Sequence, residues 1–250
     1  MKDVPHGALS SKYYFSKVTN DWRRLFVYTP PGYNINTGEK YPVVYIQHGG
    51  GEDETGWSNQ GKTDIILDNL IAEGKAHPMI VVIANGNVRT GGGGYSSEGM
   101  AAFKKEMTQN IVPFIDQNYR TLPDAKNRAI CGLSMGGGQS FYVGLESLDV
   151  FASVGIFSSG IFGGIRTSGN GFDAEKEIPG LLSKSAEFNQ KLDLFYISCG
   201  EQDMRIEYTK KAVETMKKNG LEVEFNSFPG DHEWQVWRKS LHDFATRVFK

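Results

Sequence analysis

The sequence predicts an α/β protein with a mostly parallel central sheet and helices on both faces. Two observations carry that expectation. Short apolar runs, most of them rich in Val, Ile, Phe or Tyr, recur along the chain. Longer windows with helical spacing of apolar residues separate them. Strands buried on both faces read as unbroken apolar runs, and their alternation with helices is the mark of a parallel sheet.

Taken in order, Trp22–Tyr28 (WRRLFVY) reads as an early strand. Val43–Ile46, Met79–Ala84, Arg128–Cys131, Phe151–Phe157 and Leu194–Ser198 read as buried strands. Glu222–Phe228 mixes polar and apolar residues in near alternation, as an edge strand does. Thr63–Glu73 carries Ile65, Ile66, Leu67, Leu70 and Ile71 at helical spacing. Met100–Asn118 does the same with Phe103, Met107, Ile111 and Ile115, and Pro113 predicts a kink within it. Gly137–Glu146, Arg205–Lys218 and Trp234–Phe249 complete the helices. No repeat, low-complexity tail or linker interrupts the pattern, so one domain over residues 1–250 is expected. Two glycine-rich loops, Gly86–Glu98 and Gly160–Gly180, follow predicted strands. Loops after strand ends carry the ligand site in open α/β sheets, so both are candidate pocket walls.

Composition excludes several classes. The 250 residues are 39% hydrophobic and 22% charged, with a formal net charge of -2. There is no basic surplus for nucleic acid. No apolar run approaches the ~20 residues of a spanning helix, so no membrane association is expected. The opening Met1–His6 has no apolar leader core. The expectation is a cytosolic protein or one whose leader lies outside this sequence. Two cysteines, Cys131 and Cys199, each end an apolar run and read as buried thiols, with a disulfide open if their strands are neighbours. They do not make a metal site.

Gly132–Gly137 (GLSMGG) matches G-x-S-x-G between a predicted strand and a predicted helix. That context is a nucleophile elbow, which places a serine hydroxyl at the head of a helix in an α/β-hydrolase fold. With 30 glycines in the chain the pattern alone is weak, so its partners decide. In this fold they follow the serine in the order acid, then histidine. Of five histidines only His232 and His242 follow Ser134. His242 lies inside the last helix, whereas His232 lies in the loop before it and is the expected base. Asp203 follows a strand end and is the expected acid. Glu201 is its near competitor and Asp231 a more distant one; helix capping is the alternative role for Asp203. Such a triad argues for an enzyme rather than a binding-only relative. The run His48–Gly51 (HGGG) follows a predicted strand, so Gly49 or Gly50, with Met135, is expected to supply oxyanion donors. His48 is expected to brace that loop. A competing motif, Gly56–Thr63 (GWSNQGKT), matches the phosphate-loop pattern. Its first glycine lies well beyond Ile46, whereas a phosphate loop leaves its strand at once, so nucleotide binding is the disfavoured alternative.

The chain resembles bacterial feruloyl esterases of carbohydrate esterase family one, within the broad esterase D-like group. The similarity runs through Val4–Gly7, Tyr28–Tyr33, His48–Gly51 with Glu54 and Trp57, Asp68–Gly74, Gly132–Gly137, Cys199–Asp203 and Gly230–Trp237. It places the acid and base at Asp203 and His232. It implies hydrolysis of the ester joining ferulate or p-coumarate to arabinose on xylan, with no cofactor. Acetyl xylan esterases share the family, and more distant relatives cleave siderophore esters or S-formylglutathione. The partner implied is a feruloylated or acetylated plant polysaccharide. The compartment implied is secreted or periplasmic, with the leader outside this sequence and a cytoplasmic place left open. Trp57, Tyr95, Ile161, Phe162 and Trp234 are candidates to line an aryl pocket. The neutral imidazole required of a base predicts an ascending limb in the pH profile.

Overall fold

A computed structural model describes residues 2–88, 96–164 and 172–250. Eight strands form one sheet in the order β1-β2-β4-β3-β5-β6-β7-β8. They are β1 (Ala8–Ser16), β2 (Asp21–Thr29), β3 (Val43–Gln47), β4 (Ile80–Ala84), β5 (Arg128–Leu133), β6 (Ser153–Phe157), β7 (Leu194–Gly200) and β8 (Glu224–Phe228). β2 pairs antiparallel with both β1 and β4, and every other pairing is parallel. The helices are α1 (Gly56–Asn59), α2 (Thr63–Ala72), α3 (Ser97–Lys105), α4 (Val112–Asn118), α5 (Met135–Leu145), α6 (Ala174–Glu177), α7 (Ser185–Asn189), α8 (Ile206–Lys218) and α9 (Trp234–Ala245).

The central strands alternate between two cores. Val43, Tyr45, Ile80, Val82, Ile130, Val154 and Ile197 face a cluster completed by Phe103, Met107, Phe141 and Met216. Val44, Ile46, Val81, Ile83, Cys131 and Tyr196 face the other, completed by Trp57, Leu67, Leu241 and Phe244. Burying each Val or Ile stabilises the fold by ~1.5–3 kcal/mol before chain entropy is counted. This two-sided demand is why these strands carry no polar alternation.

The structure adds to or departs from the sequence pattern at three places. β1 was not anticipated: its sequence ALSSKYYFS is polar enough to hide the pattern, and it pairs only with β2. The expected kink at Pro113 is a π-helical stretch over Glu106–Ile111, after which Pro113 sits in the first turn of α4. Helical backbone runs unbroken from α3 through this stretch into α4, so the π-turn just before Pro113 takes up the break left by the amide that proline lacks. The last helix stops at Ala245, short of Phe249, which adopts φ 62°.

Cys131 and Cys199 are free and buried, on β5 and β7 with β6 between them. Burial pushes the Cys131 thiol up, and Cys199 is raised to about 11 by burial and then by the nearby Asp203 charge. Among the described residues no helix is long and apolar enough to cross a membrane.

Candidate active site

Ser134 sits between β5 and α5 with φ 51° and ψ −112°, a left-handed backbone that a non-glycine residue adopts only under constraint. The constraint comes from its surroundings. The Ser134 amide donates to the Phe157 carbonyl at 2.8 Å, and the Ser159 hydroxyl donates to the Ser134 carbonyl at 3.1 Å. A Cβ on Gly132 would come within 2.6 Å of the Gly136 backbone, and one on Gly136 within 2.5 Å of the His48 carbonyl. The glycines of the motif are therefore required by close backbone approach.

Three side chains from distant loops meet here. His232 Nε2 lies 3.0 Å from Ser134 Oγ, and His232 Nδ1 lies 2.7 Å from Asp203 Oδ2. A carboxylate only accepts, so Nδ1 carries the ring proton and Nε2 presents its lone pair to the serine hydroxyl. Asp203 is fixed in turn: its Oδ1 accepts from the Arg205 amide and from Arg205 Nη1, both at 3.0 Å. Burial pushes this carboxyl up, yet bonds from His232 and Arg205 outweigh it and hold the group below the usual carboxylate range. Of its competitors, Glu201 is exposed. Asp231 is also exposed, and its carboxylate accepts from the His232 amide at 2.7 Å, not from the ring. His242 is exposed on α9.

The two candidate oxyanion glycines differ. The Gly49 amide donates to Glu52 Oε2 at 2.9 Å. That removes Gly49 as the expected donor in this arrangement. The Gly50 amide has no hydrogen-bond partner among the described residues. Met135 heads α5, where the first amides have no partner within the helix and the helix dipole favours negative charge. His48 braces the loop as expected. Its Nε2 accepts from the Gly86 amide at 3.0 Å, so Nδ1 donates to the Gly49 carbonyl at 2.7 Å.

The expected aryl-pocket residues separate into groups. Trp57 is fully buried, with its indole N–H on the Gln47 carbonyl at 2.8 Å, so it supports the site from behind and does not line it. Phe162 is likewise buried, packed on Phe141 and Phe172 with ring centroids 6.2 and 4.9 Å away. Ile161 and Trp234 are half-buried beside the site. Ile161 donates its amide to Ser159, and Trp234 its indole N–H to Glu52 at 3.1 Å. Tyr95 lies outside the described residues. The phosphate-loop match stays disfavoured: Thr63 Oγ1 donates to the Trp57 carbonyl at 2.9 Å, and a Cβ on Gly61 would meet that carbonyl at 2.5 Å. The segment wraps tightly around Trp57 and offers no cradle for phosphate.

Three supporting residues escaped the sequence reading. Arg205 orients the acid and Glu52 ties the glycine loop to α9. Trp237 packs edge-on against the His232 ring at 4.9 Å. Spacing offers a signal only for Trp237, one helical turn beyond Trp234 on the same face.

This sheet order, with the serine turn at the end of β5, defines an α/β-hydrolase. The chain belongs to the Esterase family, whose model, described as "Putative esterase", matches residues 16–247. It is 33% identical over 257 aligned residues to an endo-1,4-beta-xylanase/feruloyl esterase of Xylanibacter ruminicola, covering 100% of this chain and 32% of that protein. The chain thus spans about a third of that relative's length. Among solved structures, it is similar to a CE1 ferulic acid esterase of Anaeromyces mucronatus in complex with ferulic acid. That match has TM-score 0.83 and 28% identity over 100% of this chain and 93% of the other. It is similar also to a mutant feruloyl esterase module of Clostridium thermocellum complexed with sinapinate. There the TM-score is 0.80 and the identity 26%, over 100% of this chain and 92% of the other.

Proposed function

We propose that residues 1–250 act as one serine esterase domain that releases ferulate or p-coumarate from feruloylated arabinoxylan. The observation that carries the reaction is the continuous path from Asp203 through His232 to the Ser134 hydroxyl, with bonds of 2.7 and 3.0 Å. The substrate class rests on the relatives: one is a xylanase/feruloyl esterase, and two solved neighbours hold ferulic acid or sinapinate.

The geometry gives each residue a role. As Ser134 Oγ attacks the ester carbonyl carbon, His232 Nε2 takes the hydroxyl proton. Asp203 stabilises the resulting imidazolium and keeps the ring in the tautomer that can accept. The tetrahedral oxyanion is held by the amides of Met135 and Gly50, with Gly49 committed to Glu52. His232 then protonates the departing sugar alkoxide. Water, deprotonated by the same nitrogen, attacks the acyl-serine; His232 returns that proton to Ser134 Oγ as the acyl–oxygen bond breaks, and ferulate leaves. None of these steps calls for a cofactor. A polymeric substrate does not cross a membrane, so we place this work outside the cytoplasm.

The test is hydrolysis of methyl ferulate beside acetylated xylan and S-formylglutathione, with Ser134→Ala as control. Methyl ferulate is expected to be the best of the three, and Ser134→Ala to lower kcat by about a millionfold. A Ser134→Ala protein with substantial turnover would overturn the proposal. Preference for one of the other substrates would retain the mechanism and replace the acyl group.

A further inference from the structure

The antiparallel pairing of β2 with β4 has a consequence at the catalytic edge of the sheet. Leu25 lies opposite Ala84, the last residue of β4. β4 runs parallel to β3, and β3 to β5. The first residues of β2, Asp21–Arg24, therefore extend past the end of β4 on the edge that also carries the glycine loop and Ser134.

A chain of bonds ties the two places together. Arg23 Nη2 and Nη1 donate to the carbonyls of Asn85 and Asn87 at 2.5 and 3.1 Å. Arg24 Nε and Asn85 Nδ2 donate to the buried Glu54 carboxylate at 2.6 and 2.7 Å. Asn87 Nδ2 donates to the Glu52 carbonyl at 2.9 Å, and Glu52 holds the Gly49 amide. These residues enclose an open groove of about 490 Å³ whose lining includes Asp21, Trp22, Arg24, Glu54, Asn85 and Asn87. At its outer end Trp22 is 65% exposed, propped edge-on by Phe15 at 5.9 Å.

The chemistry of that lining selects a ligand. Amides, carboxylates and guanidinium groups offer paired donors and acceptors, which suit hydroxyl groups. Asp21 and Glu54 offset Arg23 and Arg24, so no net charge favours an anion. An exposed indole, met edge-on by a second ring, suits the apolar face of a pyranose. From β5 to β2 the sheet takes three inter-strand steps of ~4.8 Å, which sets Trp22 about 14 Å sideways from the strand that carries Ser134. A small ester bound at the serine does not span that distance, whereas an oligosaccharide does.

We propose that this groove is a distal glycan subsite that holds the xylan backbone of the substrate while the feruloyl ester lies at Ser134. The inference rests on the esterase reading, and its test separates the two. The kcat/KM of wild type, Trp22→Ala and Trp22→Phe is measured on methyl ferulate and on a feruloylated arabinoxylo-oligosaccharide. Binding of xylohexaose, which has no ester, is followed by tryptophan fluorescence and calorimetry. Trp22→Ala is expected to lower the ratio of long-substrate to short-substrate kcat/KM about threefold to tenfold, acting through KM, and Trp22→Phe to restore most of it. Xylohexaose affinity should fall by the same factor. An equal change on both substrates, together with unchanged xylohexaose affinity, would overturn the proposal. A wild type that binds xylohexaose through Trp22 but hydrolyses neither ester would leave the groove standing and remove the esterase reading.

Discussion

Asp203→Asn isolates the role of the acid because the neighbours of the carboxylate dictate how the new amide must sit. Two donors, the Arg205 amide and Arg205 Nη1, converge on Oδ1 at 3.0 Å each. The amide oxygen is therefore held at Oδ1, and its NH₂ group takes the Oδ2 position, 2.7 Å from His232 Nδ1. Two donors cannot share that contact, so the imidazole moves its proton to Nε2. The nitrogen facing Ser134 at 3.0 Å is then a donor and cannot accept the hydroxyl proton. The same tautomer error in a serine protease triad lowers kcat about 10⁴-fold, which corresponds to ~5.5 kcal/mol of activation free energy. We expect a loss of that order here, measured as kcat on methyl ferulate at neutral pH. A matching fall is expected in the rate of labelling by a fluorophosphonate, which reports serine nucleophilicity directly. Circular dichroism should be unchanged, because the substitution is isosteric. Activity of Asp203→Asn within tenfold of wild type would refute the reasoning and move the acid role elsewhere, with Glu201 the nearest carboxylate in sequence.

Two other outcomes follow from the same geometry. A Cβ on Gly50 meets open space, so Gly50→Ala should keep most activity, whereas Gly50→Pro deletes the amide and should lower kcat by about 10²–10³-fold. Equal kcat in the two variants would return the oxyanion role to Gly49. Bonds from His232 and Arg205 hold the Asp203 carboxyl below the usual carboxylate range. For stability, a depressed carboxyl contributes fully above its unfolded value of about 3.9 and loses that contribution as pH falls through its folded value. Urea titrations should therefore show wild type losing more stability than Asp203→Asn below about pH 4. Parallel acid profiles would argue against a stabilised carboxylate.

The sequence by itself determined the strands that are buried twice over. Val43–Gln47, Ile80–Ala84 and Leu194–Gly200 must satisfy apolar neighbours on both faces, so hydrophobicity alone marks them. It determined the elbow as well, because Gly132 and Gly136 leave no room for a Cβ and the requirement is written as glycine. The order of serine, acid and histidine was equally legible, since each stands in a loop just after a strand. Tertiary structure alone decided what depends on long-range contact. Trp57 and Trp234 look alike as aromatics, yet one is sealed beneath the glycine loop and the other lies half-buried at the site. Gly49 and Gly50 are adjacent and identical, and only the approach of Glu52 separates the committed amide from the open one. The edge strand Ala8–Ser16 became visible only through its partner. Burial preferences act residue by residue and leave a trace in composition. A hydrogen bond joins two distant groups, and neither sequence position records which partner it meets.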